Sequence, residues 1–313
     1  MEQNTIAIIW DFDKTLVKHY MQAPLFRRYG VDEKQFWREV NALEAKYAQM
    51  GVRVNSDTIY LNHMLTCVQQ GLFPNLTNEL LFELGAELEF YPGAIEILRE
   101  LKEVTLADAR YRKYGIHVEN YIISTGIAQI IRGSEVFGLV DGIWACEFIQ
   151  DVIYSELAPP PKVSDSSSVI LQLGYIIDNT SKTRAIFEIN KGVNVFDYMD
   201  VNSRIDKDAR RIPFENMIYI ADGPSDVPVF SVLKQNGGKT FAVYPKGDAA
   251  AFDQVNNLSR DGRVDMLSEA DYSPKTPTHM WLTSETKRIA DSIYKKLEEK
   301  GKAATGSVPT HLN

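Results

Sequence analysis

Residues 6–10 of the chain read IAIIW and are followed directly by DFDKT, residues 11–15. An uninterrupted apolar run of this length is typical of a strand in a parallel sheet that is covered on both faces. Open α/β sheets bind ligands beyond the carboxyl ends of their strands, where Asp11 and Asp13 would lie. Two buried carboxylates so close together repel each other, so a divalent cation, a shared proton or both must offset their charge. The stretch therefore predicts a metal-assisted pair of an acid and a nucleophile.

The composition narrows the class of protein. The chain has 313 residues, of which 44% are hydrophobic and 24% charged, as in an ordinary globular protein. This length suits one large domain, or a core with a smaller second domain. The formal net charge of −8 argues against a dedicated nucleic-acid binder, which needs a basic surface to meet phosphates. No run approaches the ~18 apolar residues of a membrane span, so we expect no membrane partner either.

The two cysteines and the N-terminal sequence indicate the cellular compartment of the protein. Cys67 and Cys146 lie far apart in the sequence and form no CxxC pair, which favours two buried thiols in a reducing environment. No basic region followed by a long apolar stretch begins the chain, so no signal peptide is expected. We therefore expect a cytoplasmic protein.

Helical periodicity follows the first strand and continues to about residue 90. Three apolar stripes at helical spacing predict three helices: Phe36, Trp37, Val40, Leu43 and Tyr47; then Ile59, Leu61, Met64, Leu65 and Val68; then Leu80, Leu81, Leu84 and Leu88. Thr77 or Asn78 is the expected N-cap of the third helix. Helices inserted directly after a catalytic strand predict a separate cap over residues 18–89.

The rest of the chain alternates strands, polar turns and helices. The strands are expected at residues 121–123, 142–146, 217–220 and 240–244. This alternation predicts an α/β fold with a doubly wound parallel sheet, whose core spans residues 1–17 and 90–282. Residues 147–178 break the rhythm with runs of proline and serine, and predict an inserted β-hairpin with a mobile tip. A charged helix from about residue 283 and a disordered tail from residue 301 are expected to end the chain at residue 313.

Polar side chains recur at strand ends and at one helix start. They form four sites: Asp11 with Asp13, Ser124, Lys182, and Asp222 with Asp226. Phosphoryl transfer needs little from a protein beyond positioning and charge neutralisation, and these residue types supply both. Mg²⁺ suits the carboxylates because it prefers their oxygens and also binds substrate phosphate. A lysine and a hydroxyl, with nearby backbone N–H groups, would hold the phosphate from its other side.

Asp13 has a task distinct from that of Asp11. If Asp11 accepts the phosphoryl group, the leaving alkoxide needs a proton, and the water that attacks later must lose one. A second carboxyl group whose pKa is raised by its neighbour can do both. Carboxylates that form aspartyl-phosphates are an established class of covalent catalyst.

The ordered set of these motifs resembles the haloacid dehalogenase superfamily. The likeness is greatest to its phosphoserine-phosphatase-like branch, which carries a helical cap after the first motif, and it runs to about residue 245. The resemblance implies Asp11 as nucleophile, Asp13 as general acid and base, and the segment Ser124, Thr125 and Gly126 with Lys182 as the phosphate-binding group. It also implies that Mg²⁺ is held by Asp11, the main-chain carbonyl of Asp13 and Asp222, while Asp226 supports these ligands without touching the ion.

The chain departs from that pattern at three places. Phosphoserine phosphatases usually carry an acidic residue shortly after the first motif to meet the substrate amine, whereas Tyr20 stands at that offset here. Their second motif reads Ser-Gly-Gly, against Ser124-Thr125-Gly126, and Ala221 replaces a glycine before the last aspartate motif. The first two differences argue against phosphoserine as the substrate. Lys191 is also an alternative to Lys182 as the phosphate-binding lysine.

The sequence thus predicts a Mg²⁺-dependent phosphatase that acts on a small phosphomonoester. Two alternatives remain. A phosphotransferase or phosphomutase would pass the same aspartyl-phosphate to an alcohol, and a non-catalytic binding protein could use the same fold. A dehalogenase is disfavoured because it needs no acid at position 13. The sequence does not indicate the oligomeric state.

Overall fold

The computed structural model describes residues 3–157 and 169–305. Its strands, in chain order, are β1 Thr5–Trp10, β2 His117–Ile127, β3 Gly142–Cys146, β4 Phe148–Ile149, β5 Gln172–Leu173, β6 Met217–Ala221, β7 Lys239–Tyr244 and β8 Met266–Glu269. Its helices are α1 Ala23–Tyr29, α2 Glu33–Gln49, α3 Ile59–Gln69, α4 Asn78–Gly85, α5 Ala94–Ala107, α6 Ala109–Lys113, α7 Ala128–Arg132, α8 Ser181–Lys191, α9 Val227–Gln235, α10 Ala249–Arg260 and α11 Pro277–Thr305.

Six of the described strands form one parallel sheet, in the order β3-β2-β1-β6-β7-β8. Strand β1 lies at its centre and is buried along its whole length, as its unbroken apolar run predicts. The chain winds outward from β1 through β2 and β3, and then in the opposite direction from β6 through β8. This confirms the predicted α/β fold with a doubly wound parallel sheet. The direction of winding changes between β1 and β6, which is where such sheets bind ligands.

Residues 18–89, which we name the helical insert, leave the core and return to it at adjacent positions. Val17 and Phe90 form an antiparallel bridge just outside its two ends, and the Lys18 N–H donates to the Glu89 carbonyl at 2.9 Å. The insert contains the three predicted helices as α2, α3 and α4, and Thr77 caps α4 by accepting from the backbone N–H of Leu80. Helix α1 was not predicted, because its seven residues are too few for a periodic stripe.

The structure differs from the sequence prediction in the second motif and in the hairpin. The strand predicted at residues 121–123 does not end in a turn, because β2 continues through residue 127 with a shift in its pairing to β3 after Ile123. Short β-like runs at residues 152–154 and 174–177 predict the strands of the hairpin, whereas the structure pairs the two-residue strands β4 and β5 instead. Its predicted tip, with the prolines of 158–161 and the serines of 166–168, lies outside the described residues.

The last part of the chain also differs. Strand β8 was not predicted, because its sequence MLSE has no apolar run and it lies at the edge of the sheet. Helix α11 begins at Pro277 and continues to Thr305, so residues 301–305 are helical where a disordered tail was expected. The remaining tail, 306–313, lies outside the described residues. No helix in the described ranges has the length and apolarity needed to cross a membrane.

Candidate active site

Asp11 follows β1 at the point where the winding of the sheet reverses. Its backbone N–H donates to the carbonyl of Ile220 on β6 at 2.8 Å, so the pairing of the two strands continues to the aspartate. One carboxylate oxygen accepts from Nζ of Lys182 at 2.8 Å, and the other accepts from Oγ1 of Thr15 at 3.2 Å. The residue is only 6% exposed. The carboxylate is therefore held at both oxygens and has little freedom to reorient.

Lys182 lies in the first turn of α8 and bridges two carboxylates. Its ammonium donates to Asp11 at 2.8 Å and to Asp226 at 2.7 Å, and the residue is 2% exposed. Burial lowers the pKa of Lys182, but the two carboxylates outweigh burial and raise it above its ordinary value. The lysine therefore stays charged. Lys191, the alternative, lies elsewhere and donates to the carbonyls of Val201 and Ser203.

Asp222 and Asp226 follow β6, next to Asp11. Asp226 is fully buried and accepts from the Tyr219 hydroxyl at 2.5 Å and from the Ser225 hydroxyl at 2.8 Å. One carboxylate oxygen each of Asp11, Asp222 and Asp226 lies within 4.8 Å of the other two, the one such cluster in the described part of the chain. The motif resemblance implies that Asp222 binds the metal ion and that Asp226 does not touch it. In the structure, both carboxylates lie close enough to Asp11 to share one metal ion with it.

The charge in this cluster is incompletely balanced. Burial raises the pKa of Asp11. The positive charge of Lys182 opposes this rise and the negative charge of Asp226 adds to it, which gives a pKa of about 6. Burial and the neighbouring Asp11 raise the pKa of Asp222 to about 7. One buried lysine thus faces three carboxylates, and the hard oxygen donors that remain suit a divalent cation such as Mg²⁺.

Asp13 lies beside this cluster and is held by the helical insert. Its Oδ1 accepts from the backbone N–H of Met21 at 2.9 Å. Burial, followed by the charges of Asp11 and Asp222, raises the pKa of Asp13 well above its ordinary value. A carboxyl group whose pKa is raised in this way can act as a general acid.

The second motif continues β2 toward the same edge. Ser124 is 2% exposed, and its Oγ accepts from the backbone N–H of Gly126 at 3.0 Å. Gly126 packs against the insert so closely that a Cβ there would lie 2.1 Å from Cε of Met21. A larger residue at this position would displace the end of the Met21 side chain. Ser124 and Thr125 line one cavity together with Asp11 and Lys182, whereas Gly126 lines a neighbouring one.

Two cavities meet at Asp13. The first, which we name the aspartate cavity, measures about 220 Å³ and is lined by Asp11, Lys182 and Asp222 among others. The second, which we name the aromatic cavity, measures about 350 Å³ and lies between the insert and β2. Both are lined by a shared set of residues: Asp13, Tyr20, Asp57 and Thr125. A molecule that reaches from one cavity into the other therefore passes these four residues, Asp13 among them.

Sequence reasoning missed Lys14 of the first motif and the residues that the insert adds. Lys14 lines the aspartate cavity. Its Nζ donates to the Tyr20 hydroxyl at 2.9 Å and lies 4.1 Å from the centre of that ring. Trp37 belongs to a stripe that predicts only helix packing, and Tyr60 belongs to none of the three stripes, yet both line the aromatic cavity. Asp57 precedes a predicted helix and carried no signal. Only the positive φ of Lys14, 57°, is locally unusual, and the sequence does not show it.

No family model matches this chain. A protein of Borreliella burgdorferi (strain ATCC 35210), described as an uncharacterized protein, is 38% identical over 284 residues, which cover 90% of this chain and 96% of the other. A HAD family hydrolase of Salmonella enterica serovar Typhi shares 15% identity at a TM-score of 0.50, over 85% of this chain and 67% of the other. A phosphoserine phosphatase solved as a phospho-aspartyl intermediate analogue shares 17% identity, over 84% and 93% of the two chains, at a TM-score of 0.48.

The fold and the match to the Salmonella structure define the class: the chain has the haloacid dehalogenase fold, as its motifs predict. At 38% identity over nearly the full length of both chains, the protein belongs to one family with the Borreliella protein.

Proposed function

We propose that this protein is a phosphatase that hydrolyses a small phosphomonoester, with Asp11 as the nucleophile and Mg²⁺ as the cofactor. The observation that carries the proposal is the buried Lys182, which donates to Asp11 and Asp226 inside a cluster of three carboxylates. A buried lysine between carboxylates could serve stability alone. The remaining excess of negative charge, beside a cavity of about 220 Å³, supports a site for a cation together with an anionic substrate.

The donor set fits Mg²⁺. Asp11 and Asp222 would hold the ion with the main-chain carbonyl of Asp13, and Asp226 would hold Lys182 in place. When bound, Mg²⁺ neutralises charge and binds phosphate oxygens, which lets a carboxylate approach a phosphate dianion.

Binding of the phosphate would fall to groups around the same cavity. Lys182 and Lys14 provide positive charge, and both line the aspartate cavity. Ser124 and Thr125 line it as well, so the Ser124 hydroxyl and backbone N–H groups of this segment can donate hydrogen bonds to phosphate oxygens.

The chemistry divides between the first two aspartates. A carboxylate oxygen of Asp11 attacks phosphorus, the bond from phosphorus to the ester oxygen breaks, and Asp13 gives its proton to the departing alkoxide. Water then attacks the phosphorus of the aspartyl-phosphate, and Asp13 takes up its proton. Orthophosphate leaves, and the Asp11 carboxylate is restored. The raised pKa of Asp13 supports its role as the acid of the first step.

The helical insert would act as the cap. Its two ends run side by side at Val17 and Phe90, which is compatible with a movement that closes over the site and excludes bulk water. We also propose a cytoplasmic location, which the free, buried thiols of Cys67 and Cys146 support.

The proposal is tested by phosphate release from p-nitrophenyl phosphate. We expect turnover with Mg²⁺ that falls at least ~10³-fold in Asp11→Asn, since that substitution removes the nucleophile. The matched control is Asp253→Asn, an exposed carboxylate on α10 outside both cavities. Release without an added alcohol excludes an obligatory phosphotransferase. A folded wild-type protein that binds Mg²⁺ and releases no phosphate from any phosphomonoester would contradict the proposal.

A further inference from the structure

The aromatic cavity adjoins the point where the alcohol part of a substrate must leave. In the proposed reaction the departing oxygen receives its proton from Asp13, and Asp13 lines both cavities. The aspartate cavity is lined by the groups that would hold phosphate and Mg²⁺. The alcohol part therefore extends past Asp13 into the aromatic cavity, whose volume of about 350 Å³ suits a small molecule.

The charged groups of this cavity are all acidic. Among the described residues that line it, Asp13 and Asp57 carry carboxyl groups, and none is Lys or Arg. Asp57 is half buried, and its Oδ2 accepts from the backbone N–H of Asn179 at 3.3 Å. A carboxylate or second phosphate on the alcohol part would thus approach the Asp57 carboxylate, with no lysine or arginine among the lining residues to balance the charge.

Three aromatic rings line the same space. The ring centres of Tyr20 and Trp37 are 5.3 Å apart, and those of Trp37 and Tyr60 are 5.7 Å apart, with the planes tilted at 45° and 52°. Tilted rings present both faces and edges to a shared space. The faces attract a cation, with the strongest attraction at tryptophan and when the cation is removed from water.

A buried acceptor in the lining has no partner. Gln22 is 2% exposed, and its side-chain oxygen makes no hydrogen bond to any described residue. Buried acceptors without a donor are uncommon, and an N–H group of a ligand would satisfy this one. The indole N–H of Trp37 is also without a partner in the described ranges, and an oxygen of the same alcohol can accept from it.

We infer that the aromatic cavity is a binding site for an ammonium group, so that the substrate is the phosphate ester of an amino alcohol. Asp57 and the rings of Trp37 and Tyr60 determine this specificity, and Gln22 accepts from the ammonium. This inference rests on the proposed phosphatase function. It narrows the substrate from any small phosphomonoester to one whose alcohol part is cationic. It also excludes phosphoserine, because the carboxylate of phosphoserine would lie against Asp57.

Three matched esters test the inference. O-phosphoethanolamine carries the ammonium, n-propyl phosphate replaces it by a methyl group, and O-phosphoserine adds a carboxylate. We expect kcat/KM with Mg²⁺ to be at least ~10-fold higher for O-phosphoethanolamine than for either of the others. Equal values, or a preference for n-propyl phosphate or O-phosphoserine, would overturn the inference.

Substitutions of residues that line the aromatic cavity test whether this cavity causes the preference for the ammonium ester. In Asp57→Asn the ratio of kcat/KM for O-phosphoethanolamine to that for n-propyl phosphate should fall about 10-fold, mainly through KM, and Asp57→Glu should restore part of it. Gln22→Met, similar in size, should lower the ratio by a smaller factor. The control Glu103→Gln removes an exposed carboxylate on α5, outside both cavities, and should keep the ratio. A ratio that stays constant in Asp57→Asn would contradict the assignment.

Failure of this inference can be told apart from failure of the proposed function. If p-nitrophenyl phosphate is hydrolysed and the three esters are not distinguished, only the substrate class is wrong. If no ester is hydrolysed, the phosphatase proposal fails. Calorimetric titration of the Asp11→Asn protein with O-phosphoethanolamine and n-propyl phosphate then still shows whether the aromatic cavity binds an ammonium group. Binding of the ammonium ester at least ~10-fold more tightly supports the site, and equal binding rejects it.

Discussion

Buried carboxylates at the two ends of the central sheet have pKa values that are shifted in opposite directions. At the carboxyl ends of β1 and β6, burial raises the pKa of Asp11 to about 6 and that of Asp222 to about 7. Near the start of β2, Glu119 is also largely buried, yet its pKa lies at about 2. Similar groups in the same sheet thus have shifts of opposite sign.

The difference lies in the partners. Burial alone would raise the pKa of Glu119, but hydrogen bonds from His117 and Arg211 outweigh it. The Arg211 guanidinium donates to both of its oxygens, at 2.8 and 2.5 Å. At the other end, Lys182 is the one buried lysine among three carboxylates. A fully paired carboxylate serves the fold, whereas an incompletely paired cluster is free to bind a cation from solution.

The largest expected effect comes from removing the bridging lysine. Lys182→Met should lower phosphate release at least ~100-fold, because it removes a positive charge next to the nucleophile. It should also lower the free energy of unfolding by about 3 kcal/mol, because Asp11 and Asp226 would remain buried without a cation. Phosphate release and urea denaturation measure the two effects.

The control for that variant is Lys191→Met. Lys191 donates to the carbonyls of Val201 and Ser203, so its loss should affect stability and leave catalysis largely intact. An equal loss of phosphate release in both variants would show that the contrast between the two lysines has no functional meaning.

The second effect is stabilisation by Mg²⁺. Since the aspartate cluster lacks balancing charge, Mg²⁺ at 100 times its Kd should raise the free energy of unfolding by about 2.7 kcal/mol. Urea denaturation in Mg²⁺ and in EDTA measures it. Asp222→Asn should lose most of this stabilisation, and Glu119→Gln should keep it. If Asp222→Asn were stabilised as much as the wild type, the ion would bind elsewhere.

The smallest effect is expected at the paired end of the sheet. Glu119→Gln should lower the free energy of unfolding at pH 7 by about 2 kcal/mol, since charged hydrogen bonds to Arg211 are lost. The pKa of Glu119 is about 2 in the folded protein, against an ordinary value of 4.5. Its contribution is therefore complete above pH 4.5 and lost as the pH falls through 2.

The measurement is a comparison of urea denaturation for the wild type and Glu119→Gln at pH 7 and pH 3. The difference in the free energy of unfolding between them should shrink at the lower pH, while Glu103→Gln, an exposed glutamate, should show little difference at either. A difference that grows at acid pH would mean that Glu119 is not held by its cationic partners.

The strands of the core and the order of the aspartate motifs could be read from the amino-acid sequence. Unbroken apolar runs such as residues 6–10 are required by a strand buried on both faces, so they can be recognised without coordinates. Because the ends of parallel strands meet at one edge, Asp11, Ser124 and Asp222 could be expected to lie together. Strand β8, an edge strand with no apolar run, gave no such signal.

The side chains that complete the candidate site could be identified only from the folded chain. The choice of Lys182 over Lys191 depends on where α8 starts relative to the sheet, and helical spacing says nothing of that. Trp37 has the same helical spacing as core residues, Tyr60 lies outside the predicted stripes, and Asp57 lies in a loop. Their place beside Asp13 follows from how the helical insert folds back over β2. Local patterns specify a strand or a helix, whereas long-range packing sets the distances between them.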